Sequence, residues 1–216
     1  MIKNNVLKVR ERIFAACLKV NRDTCGINLV FVSKGRPIDD IKEAIACGLR
    51  DIGENKVQEA LLKYPSFKDA KWHMIGHLQS NKVKDAVKIF DLIQSVDTFD
   101  LALAINKEAL KINKIQDVLL EVKVSPEATK FGLKPNELSD AFNEIRKLAN
   151  VRIKGLMAIA PLVNRAEEAR PYFKMLRELR DKVNGNMILS MGMTDDFEVA
   201  IEEGADIIRI GRGIFE

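Results

Sequence analysis

Lys34 is the side chain whose type and position most clearly suggest chemistry. It follows Ser33 at the end of an apolar run over residues 29–32, and Gly35 comes directly after it. An unbroken apolar run of this length is typical of a strand buried on both faces of a parallel sheet. Desolvation at the end of such a strand would favour the neutral amine, which can add to an aldehyde. A lysine that reaches solvent or pairs with a carboxylate would fit the same position, so the segment alone leaves these roles open.

Two segments near the end of the sequence could bind an anion. Residues 190–194 are Ser-Met-Gly-Met-Thr, and residues 209–213 are Arg-Ile-Gly-Arg-Gly. Glycine lets backbone N–H groups approach an anion, and hydroxyl groups add donors. We expect Thr194 to begin a helix whose N-terminus also favours negative charge, and Asp195 and Asp196 to point outward as first-turn acids. The alternative is that these glycines only form tight turns.

These distant segments can meet only if regular elements bring their ends together, and the hydrophobic pattern predicts alternating strands and helices. Eight strands are expected, over residues 29–33, 50–53, 72–76, 91–96, 118–124, 153–159, 187–190 and 206–210. Helices are expected over residues 4–22, 38–46, 54–64, 99–111, 135–148, 165–183 and 194–203, with one more after an N-cap at Ser80.

Eight repeats of a strand followed by a helix indicate a parallel sheet with right-handed crossovers. We predict that this α/β sheet closes into a (β/α)8 or TIM barrel, with an extra helix at the N-terminus. An open doubly wound sheet is the rival architecture, which periodicity alone does not exclude. No linker, low-complexity run or charge block divides the sequence, so we expect residues 1–216 to form one domain. In a barrel, functional groups belong at the carboxyl ends of the strands.

Composition narrows the class of protein. The 216 residues are 47% hydrophobic and 31% charged, with a formal net charge of +4. Basic and acidic residues are mixed and only 6% of residues are aromatic, which argues against a nucleic-acid-binding protein. Three cysteines without a CxxC pair, no signal peptide and no membrane-spanning run favour a cytoplasmic protein. His73 and His77 are four residues apart but are placed on a strand and the loop after it, so no metal site is expected.

A lysine at one strand end and an anion site after strands seven and eight form the layout that suits pyridoxal 5′-phosphate (PLP). The lysine would attach the aldehyde, and the loops at residues 190–194 and 209–213 would hold the phosphate. A Schiff-base aldolase acting on a sugar phosphate would use the same two groups. The absorbance spectrum separates these possibilities, because only a PLP protein is yellow.

Segments spread over nearly the whole sequence resemble the PLP homeostasis protein family, the single-domain relatives of the alanine racemase barrel. The matching segments are Val32–Lys34 with Pro37, Gly53–Asn55 with Val57–Glu59, Trp72–Gln79 with Asn81 and Lys82, Lys130–Gly132, Gly155–Ile159, Leu189–Asp196, and Arg209–Gly211 with Ile214 and Phe215. The resemblance implies a protein of vitamin B6 homeostasis that holds PLP as an internal aldimine and has no dedicated catalytic reaction. It also implies a monomer that hands PLP to PLP-dependent apo-enzymes. The composition and the lack of a long apolar run predict that the protein binds neither nucleic acid nor membrane.

Carried over residue by residue, the resemblance implies a set of cofactor-binding positions: Lys34, Asn55, His77, Met157, Ser190, Met191, Arg209, Gly211 and Arg212. Lys34 would carry PLP covalently, and Arg209 would face the pyridine nitrogen. Asn55 and Met157 would line the ring pocket, and His77 would lie near its mouth. The phosphate would be held by Ser190 and by the backbone around Met191, Gly211 and Arg212.

Arg209 bears on the choice between storage and catalysis. Arginine has only donors and keeps its proton, so a pyridine nitrogen facing it would stay unprotonated and the cofactor would be a weak electron sink. The alternative is a small PLP-dependent amino-acid racemase, which needs a second acid–base group across the cofactor. In the alanine racemase relatives this group is a tyrosine from another domain and subunit. Tyr64 and Tyr172 are the only tyrosines here, and both are predicted in helices away from the strand ends.

Overall fold

The structure is a computed structural model, and it describes residues 1–125, 127 and 131–216. Eight parallel strands form a closed barrel in chain order. They are β1 (Asn28–Val32), β2 (Asp51–Glu54), β3 (Lys71–Met74), β4 (Leu92–Val96), β5 (Gln116–Glu121), β6 (Val151–Met157), β7 (Ile188–Ser190) and β8 (Ile207–Ile210). The predicted (β/α)8 barrel is confirmed. The open doubly wound sheet is wrong, because β1 pairs with β8 as well as with β2.

Helices surround the barrel and connect its strands. They are α1 (Ile2–Lys19), α2 (Ile38–Ala46), α3 (Val57–Lys63), α4 (Val83–Ile89), α5 (Phe99–Lys111), α6 (Leu138–Ile145), α7 (Arg170–Asn184), α8 (Phe197–Glu202) and α9 (Arg212–Phe215). The extra N-terminal helix is confirmed as α1, whereas the short α9 is not foreseen by the sequence pattern. Over the described ranges of the chain, no helix is both long and apolar enough to cross a membrane.

Two groups of apolar side chains hold the barrel together. The smaller group lies inside the barrel and consists of Val30, Leu92, Leu119, Met157 and Ile207. A larger group fills the space between the strands and the helices and includes Phe31, Trp72 and Phe173. Successive residues of a strand point to opposite faces of the sheet. Both faces of this sheet are buried, one inside the barrel and one against the helices, so the residues on both faces are mostly apolar. This double burial explains why the strand sequences are nearly continuous apolar runs.

The helix α1 joins the two ends of the chain, because it packs against α2, α8 and α9. Asn5 Nδ2 donates to the Ile214 carbonyl at 3.1 Å. Just beyond the helix, Arg22 Nη1 donates to the Ala205 carbonyl at 2.8 Å. The first helix therefore stabilises the join between β1 and β8.

Five helices begin later than the sequence predicts, namely α3, α4, α6, α7 and α8, and a 3-10 turn precedes two of them, α4 and α7. Residues Ser80–Lys82 form a 3-10 turn and α4 begins at Val83, so Ser80 is not the cap of that helix. A second 3-10 turn, Ala166–Ala169, precedes α7. Pro171 lies in the first turn of α7, where its missing N–H leaves no helical hydrogen bond unmade.

Candidate functional site

A cavity of about 640 Å³ opens at the carboxyl ends of the strands, where barrel proteins place their chemistry. The residues that line it are Val32, Lys34, Arg36, Asn55, Ile75, Glu127, Ile159, Ala160, Pro161, Leu162, Val163, Met193, Thr194, Asp195, Asp196, Arg209, Gly211, Arg212 and Glu216. Five of the predicted cofactor-binding positions, Lys34, Asn55, Arg209, Gly211 and Arg212, therefore share one cavity.

Lys34 lies in the turn after β1, with its side chain exposed on the cavity wall. The expected desolvation of this lysine is wrong, because β1 ends at Val32 and Lys34 lies two residues beyond it. The next residue, Gly35, has φ of +69°, which glycine adopts without strain. Within the described part of the chain Lys34 makes no ion pair, so its amine is free to meet a ligand.

The buried side chain of Lys63 anchors the loop that carries Lys34. Lys63, at the end of α3, donates from Nζ to the Ser33 carbonyl at 2.6 Å. The same Nζ lies 2.7 Å from Oε1 of Glu54 and 2.7 Å from Oε1 of Glu59. The residue before Lys34 is therefore anchored to the layer between β2 and α3.

The two carboxylates of this cluster respond differently to their surroundings. Burial raises the pKa of Glu54 above its usual value, although hydrogen bonds from Lys63 and Ser33 oppose the shift. Burial also tends to raise the pKa of Glu59, but hydrogen bonds from Lys63 and from the Gly35 N–H outweigh it and lower the pKa. The Gly35 N–H lies 2.5 Å from Glu59 Oε1, so the residue after Lys34 is also fixed.

Arg209 reaches the cavity from β8 and is buried. Its Nη1 donates to Ser190 Oγ at 2.7 Å, and its Nη2 donates to the Ala158 carbonyl at 3.0 Å. Burial lowers the pKa of Arg209 to about 10, and the nearby Glu121 and Asp196 oppose this shift. The guanidinium group therefore remains charged at neutral pH. It has five N–H donors, so some are left for a ligand.

The loops after β7 and β8 meet at the cavity. The Gly213 N–H donates to Thr194 Oγ1 at 3.3 Å, which leaves the hydroxyl proton of Thr194 available to a ligand. The backbone N–H groups of Gly211 and Arg212 make no hydrogen bond to the described residues. The Arg212 side chain forms an exposed ion pair with Asp195. Together these groups form a cup of donors that would suit an anion.

Asp196 does not point outward as the sequence suggested. It is buried, and its Oδ1 accepts the Met193 N–H at 2.6 Å. Burial raises the pKa of Asp196, although that hydrogen bond partly opposes the shift. The contact keeps the preceding residues in a turn, so α8 begins at Phe197 and the predicted helix start at Thr194 is wrong.

Two predicted phosphate contacts are not among the described residues that line the cavity. The Ser190 hydroxyl donates to Gln94 Oε1 at 2.6 Å and accepts from Arg209. The Met191 N–H donates to the Ile207 carbonyl at 3.1 Å. Their contact with a phosphate stays a prediction, and Thr194 is the hydroxyl that lines the cavity.

Met157 and His77 also lie away from the cavity lining that is described. Met157 belongs to the apolar group inside the barrel. His77 stacks on Phe131 with ring centroids 3.7 Å apart, and its Nδ1 lies 3.3 Å from Asp97 Oδ2. Lys130, which precedes Phe131 in a matching segment, lies outside the described residues. No group of three His, Cys, Asp or Glu side chains that could hold a metal ion occurs in the ranges the structure covers.

Comparison with known proteins places this fold and cavity in a family. Residues 2–216 match the family model described as alanine racemase, N-terminal domain. A pyridoxal phosphate homeostasis protein from Aquifex aeolicus is 47% identical over 215 residues, which cover 96% of this chain and 94% of the relative. The chain belongs to the pyridoxal phosphate homeostasis protein family. A second member of this family, from Pseudomonas aeruginosa, is 39% identical over 217 residues, which cover 99% of this chain and 94% of the relative. The resemblance drawn from the sequence is confirmed.

Solved structures agree with membership of the pyridoxal phosphate homeostasis family. PipY of Synechococcus elongatus, solved with PLP bound, is 35% identical and superposes with a TM-score of 0.86, with 100% of each chain covered. Alanine racemase of Clostridium difficile is 13% identical and has a TM-score of 0.71, over 95% of this chain and 56% of the racemase. The second comparison shows a shared barrel fold alone.

Pattern reasoning missed several buried polar groups in this member of the pyridoxal phosphate homeostasis family. Burial raises the pKa of Glu121 to about 7, with Asp97 adding to the shift and Arg209 opposing it. Glu121 interrupts the apolar run that forms β5, and that interruption is the one signal the sequence offered for this residue. Gln94 interrupts the apolar run of β4 in the same way, whereas Lys63 carried no such signal, because a helical lysine is an ordinary solvated residue until its neighbours are known.

Proposed function

We propose that this chain binds PLP covalently through Lys34 and serves intracellular PLP (vitamin B6) homeostasis without a dedicated catalytic reaction. The observation that carries this proposal is that Lys34 and the unused N–H groups of Gly211 and Arg212 line one cavity. The names of its relatives from Aquifex aeolicus and Pseudomonas aeruginosa and the PLP-bound structure of PipY support it. We treat residues 1–216 as a single PLP-binding domain.

The residues around the cavity fit this cofactor. A volume of about 640 Å³ lies within the usual range of small-molecule sites. Asn55 lines the cavity and its buried Oδ1 lacks a hydrogen-bond partner among the described residues, so a ligand hydroxyl would satisfy it. When bound, PLP supplies an aldehyde that an amine can attack and a phosphate that needs donors.

Each of the lining groups would have a separate task. Lys34 would supply the attacking amine, and the N–H groups of Gly211 and Arg212 with the Thr194 hydroxyl would bind the phosphate. Arg209 would donate to the ring nitrogen, and because a guanidinium group cannot accept a proton, that nitrogen would stay unprotonated. A protonated ring nitrogen in the NMR spectrum of the loaded protein would contradict this assignment.

The position of the tyrosines favours storage over the racemase alternative. Tyr64 packs against Trp72 with ring centroids 5.9 Å apart, and Tyr172 lies on α7 against the outer apolar core. Neither is among the described residues that line the cavity. We therefore propose a protein that holds PLP and passes it to PLP-dependent apo-enzymes. We also propose, as the sequence and the family resemblance predict, that it is a cytoplasmic monomer.

Borohydride reduction of the PLP-saturated protein, followed by peptide mass mapping, tests the proposal. A pyridoxyl adduct is expected on Lys34 and should be lost in Lys34→Arg, whereas Lys56→Arg, at an exposed lysine near the same face, should retain it. An unmodified Lys34 in saturated protein would overturn the proposal. Incubation with each L-amino acid and chiral analysis tests the absence of a reaction, and turnover above about 1 per second would favour the racemase.

A further inference from the structure

A chain of hydrogen bonds crosses the inside of the barrel from the cavity toward the opposite end. Arg209 Nη1 lies 2.7 Å from Ser190 Oγ, which lies 2.6 Å from Gln94 Oε1. Gln94 Nε2 lies 3.0 Å from His73 Nδ1, and His73 Nε2 lies 2.9 Å from Asp51 Oδ1. The first four side chains are buried. Barrel interiors are usually filled by layers of branched apolar residues, so this polar chain is a departure from the common packing.

The groups at the two ends of this hydrogen-bond chain, Arg209 and Asp51, allow only one direction of donation. Arg209 can only donate, so the Ser190 oxygen accepts and its hydroxyl proton goes to Gln94 Oε1. The Gln94 amide then donates from Nε2, so His73 Nδ1 must be an acceptor. Its Nε2 carries the proton and donates to Asp51. Every link has one donor and one acceptor, which is the condition under which a buried polar network stabilises a single arrangement.

Asp51, at the far end of the hydrogen-bond chain, supports the same direction of donation. Burial tends to raise the pKa of Asp51, but hydrogen bonds from His73 and Asn28 outweigh it and lower the pKa. Asp51 is therefore a carboxylate at neutral pH and faces a protonated ring nitrogen. With Gln94 reversed, the Ser190 oxygen would accept two N–H groups, and its hydroxyl proton would lose the only acceptor among the described residues.

We propose that Gln94 and His73 are positioning residues for Arg209. The chain that they complete holds the guanidinium group at the angle from which it meets the ring nitrogen of the cofactor. This cofactor part rests on the proposed function, whereas the direction of the hydrogen bonds is a property of the ligand-free protein. Neither residue is among the described residues that line the cavity, so both would act through Arg209.

The direction of the chain can be measured without PLP. The sequence contains two histidines, so a ¹⁵N-histidine sample gives two ring systems, and His77→Gln assigns them. We expect His73 to be neutral with its proton on Nε2. A proton on Nδ1, or a doubly protonated ring at neutral pH, would overturn the proposal.

The effect on Arg209 is tested with Gln94→Met, and Gln116→Met is the matched control. Gln116 is equally buried and hydrogen-bonded, through Nε2 to the Asp91 carbonyl at 3.0 Å, but it is not part of the chain. The ligands are PLP and a benzenoid analogue that keeps the aldehyde, hydroxyl and phosphate but has C–H in place of the ring nitrogen. Dissociation constants are measured by absorbance titration of each protein after thermal unfolding confirms that it is folded.

We expect Gln94→Met to bind PLP roughly tenfold or more weakly and the analogue with little change. Gln116→Met should leave the ratio of the two dissociation constants unchanged. Equal weakening of both ligands by Gln94→Met, or no weakening of either, would overturn the positioning role. If Gln94→Met does not fold, His73→Phe, which cuts the hydrogen-bond chain one link farther from Arg209, must give the same selective loss. Failure of the unaltered protein to bind PLP would instead overturn the proposed function and the cofactor part of this inference, whatever the tautomer of His73.

Discussion

The ammonium group of Lys63 lies 2.7 Å from Oε1 of Glu54, and both side chains are buried behind the loop that carries Lys34. Glu54 Oε2 is also buried and has no hydrogen-bond partner in the described chain. The carboxylate therefore depends on Lys63 and on the Ser33 hydroxyl for its stabilisation. A cluster of this kind fixes geometry more than it adds stability, since desolvation offsets much of the attraction between buried charges.

Replacement of Lys63 by methionine should destabilise the fold strongly. It leaves Glu54 buried without its cation, and removal of one partner of a buried pair typically costs about 3–5 kcal/mol. The measurement is the free energy of unfolding in urea. The control is Lys42→Met, which removes an exposed partner of Asp39 and should cost less than about 0.5 kcal/mol. Similar stabilities for the two variants would show that the cluster is not required.

Glu121 should make the ligand-free protein less stable as the pH rises. Its pKa is about 7 in the folded protein, against the ordinary value of 4.5 in an unfolded chain. The protonated carboxyl is thus favoured by the fold, and this contribution is fully present below the unfolded pKa and is lost as the pH rises through about 7. A difference of 2.5 units corresponds to about 3 kcal/mol at most.

The variant Glu121→Gln tests this dependence, because glutamine imitates the protonated carboxyl at every pH. Its free energy of unfolding should match that of the unaltered protein near pH 4, below the unfolded pKa of 4.5, and exceed it near pH 8. Urea titrations at the two pH values give the comparison. Glu11→Gln, at an exposed position of α1, is the control and should follow the unaltered protein. A constant difference between Glu121→Gln and the unaltered protein would contradict the predicted pKa effect.

Gly155 should not tolerate a side chain. A Cβ at this position would lie 2.0 Å from the Ile188 carbonyl oxygen, so β6 and β7 would have to separate. We expect Gly155→Ala to lower the free energy of unfolding by about 2–3 kcal/mol. Gly185→Ala is the matched control, because a Cβ there meets open space and the backbone is helical. The prediction fails if the two alanine variants unfold at the same urea concentration.

The N-terminus of α5 depends on one hydroxyl group. Thr98 Oγ1 accepts the Leu101 N–H at 3.2 Å, which satisfies an amide that the helix cannot bond itself. Thr98→Ala should therefore cost about 1 kcal/mol of stability, measured by thermal or urea unfolding. Thr98→Ser keeps the acceptor and should restore most of the loss. A serine variant as unstable as the alanine variant would assign the effect to the methyl group instead.

The barrel was predictable because a parallel strand with two buried faces leaves a continuous apolar run in the sequence. Lys34, Asn55 and Arg209 could be placed at one end of the barrel for the same reason, since the end of each run marks its position. Whether the side chain of Lys34 is buried or exposed to solvent was not predictable. Its exposure depends on how far the turn continues beyond Val32, which the run does not encode.

Contacts between distant residues account for the other differences. Ser190 and Gln94 are 96 positions apart, and only the closed barrel shows that the serine hydroxyl is already bonded. The turn that delays α8 depends on the side chain of Asp196, which a helical pattern treats as an ordinary first-turn acid. Hydrogen-bond partners of buried polar groups are set by three-dimensional packing. Sequence patterns therefore identify candidate site residues but do not show whether their donors and acceptors are already used within the protein.

The packing of α1 against α8 and α9 has a consequence for synthesis on the ribosome. The apolar stripe of α1, which includes Val6, Val9 and Ile13, is made first, yet the helices that cover it follow almost the whole length of the chain later. A nascent chain therefore has only α2 to cover part of this stripe until α8 and α9 have been made. Apolar surface that waits for a partner made late in synthesis favours aggregation of the growing polypeptide, so this fold depends on rapid completion of the chain.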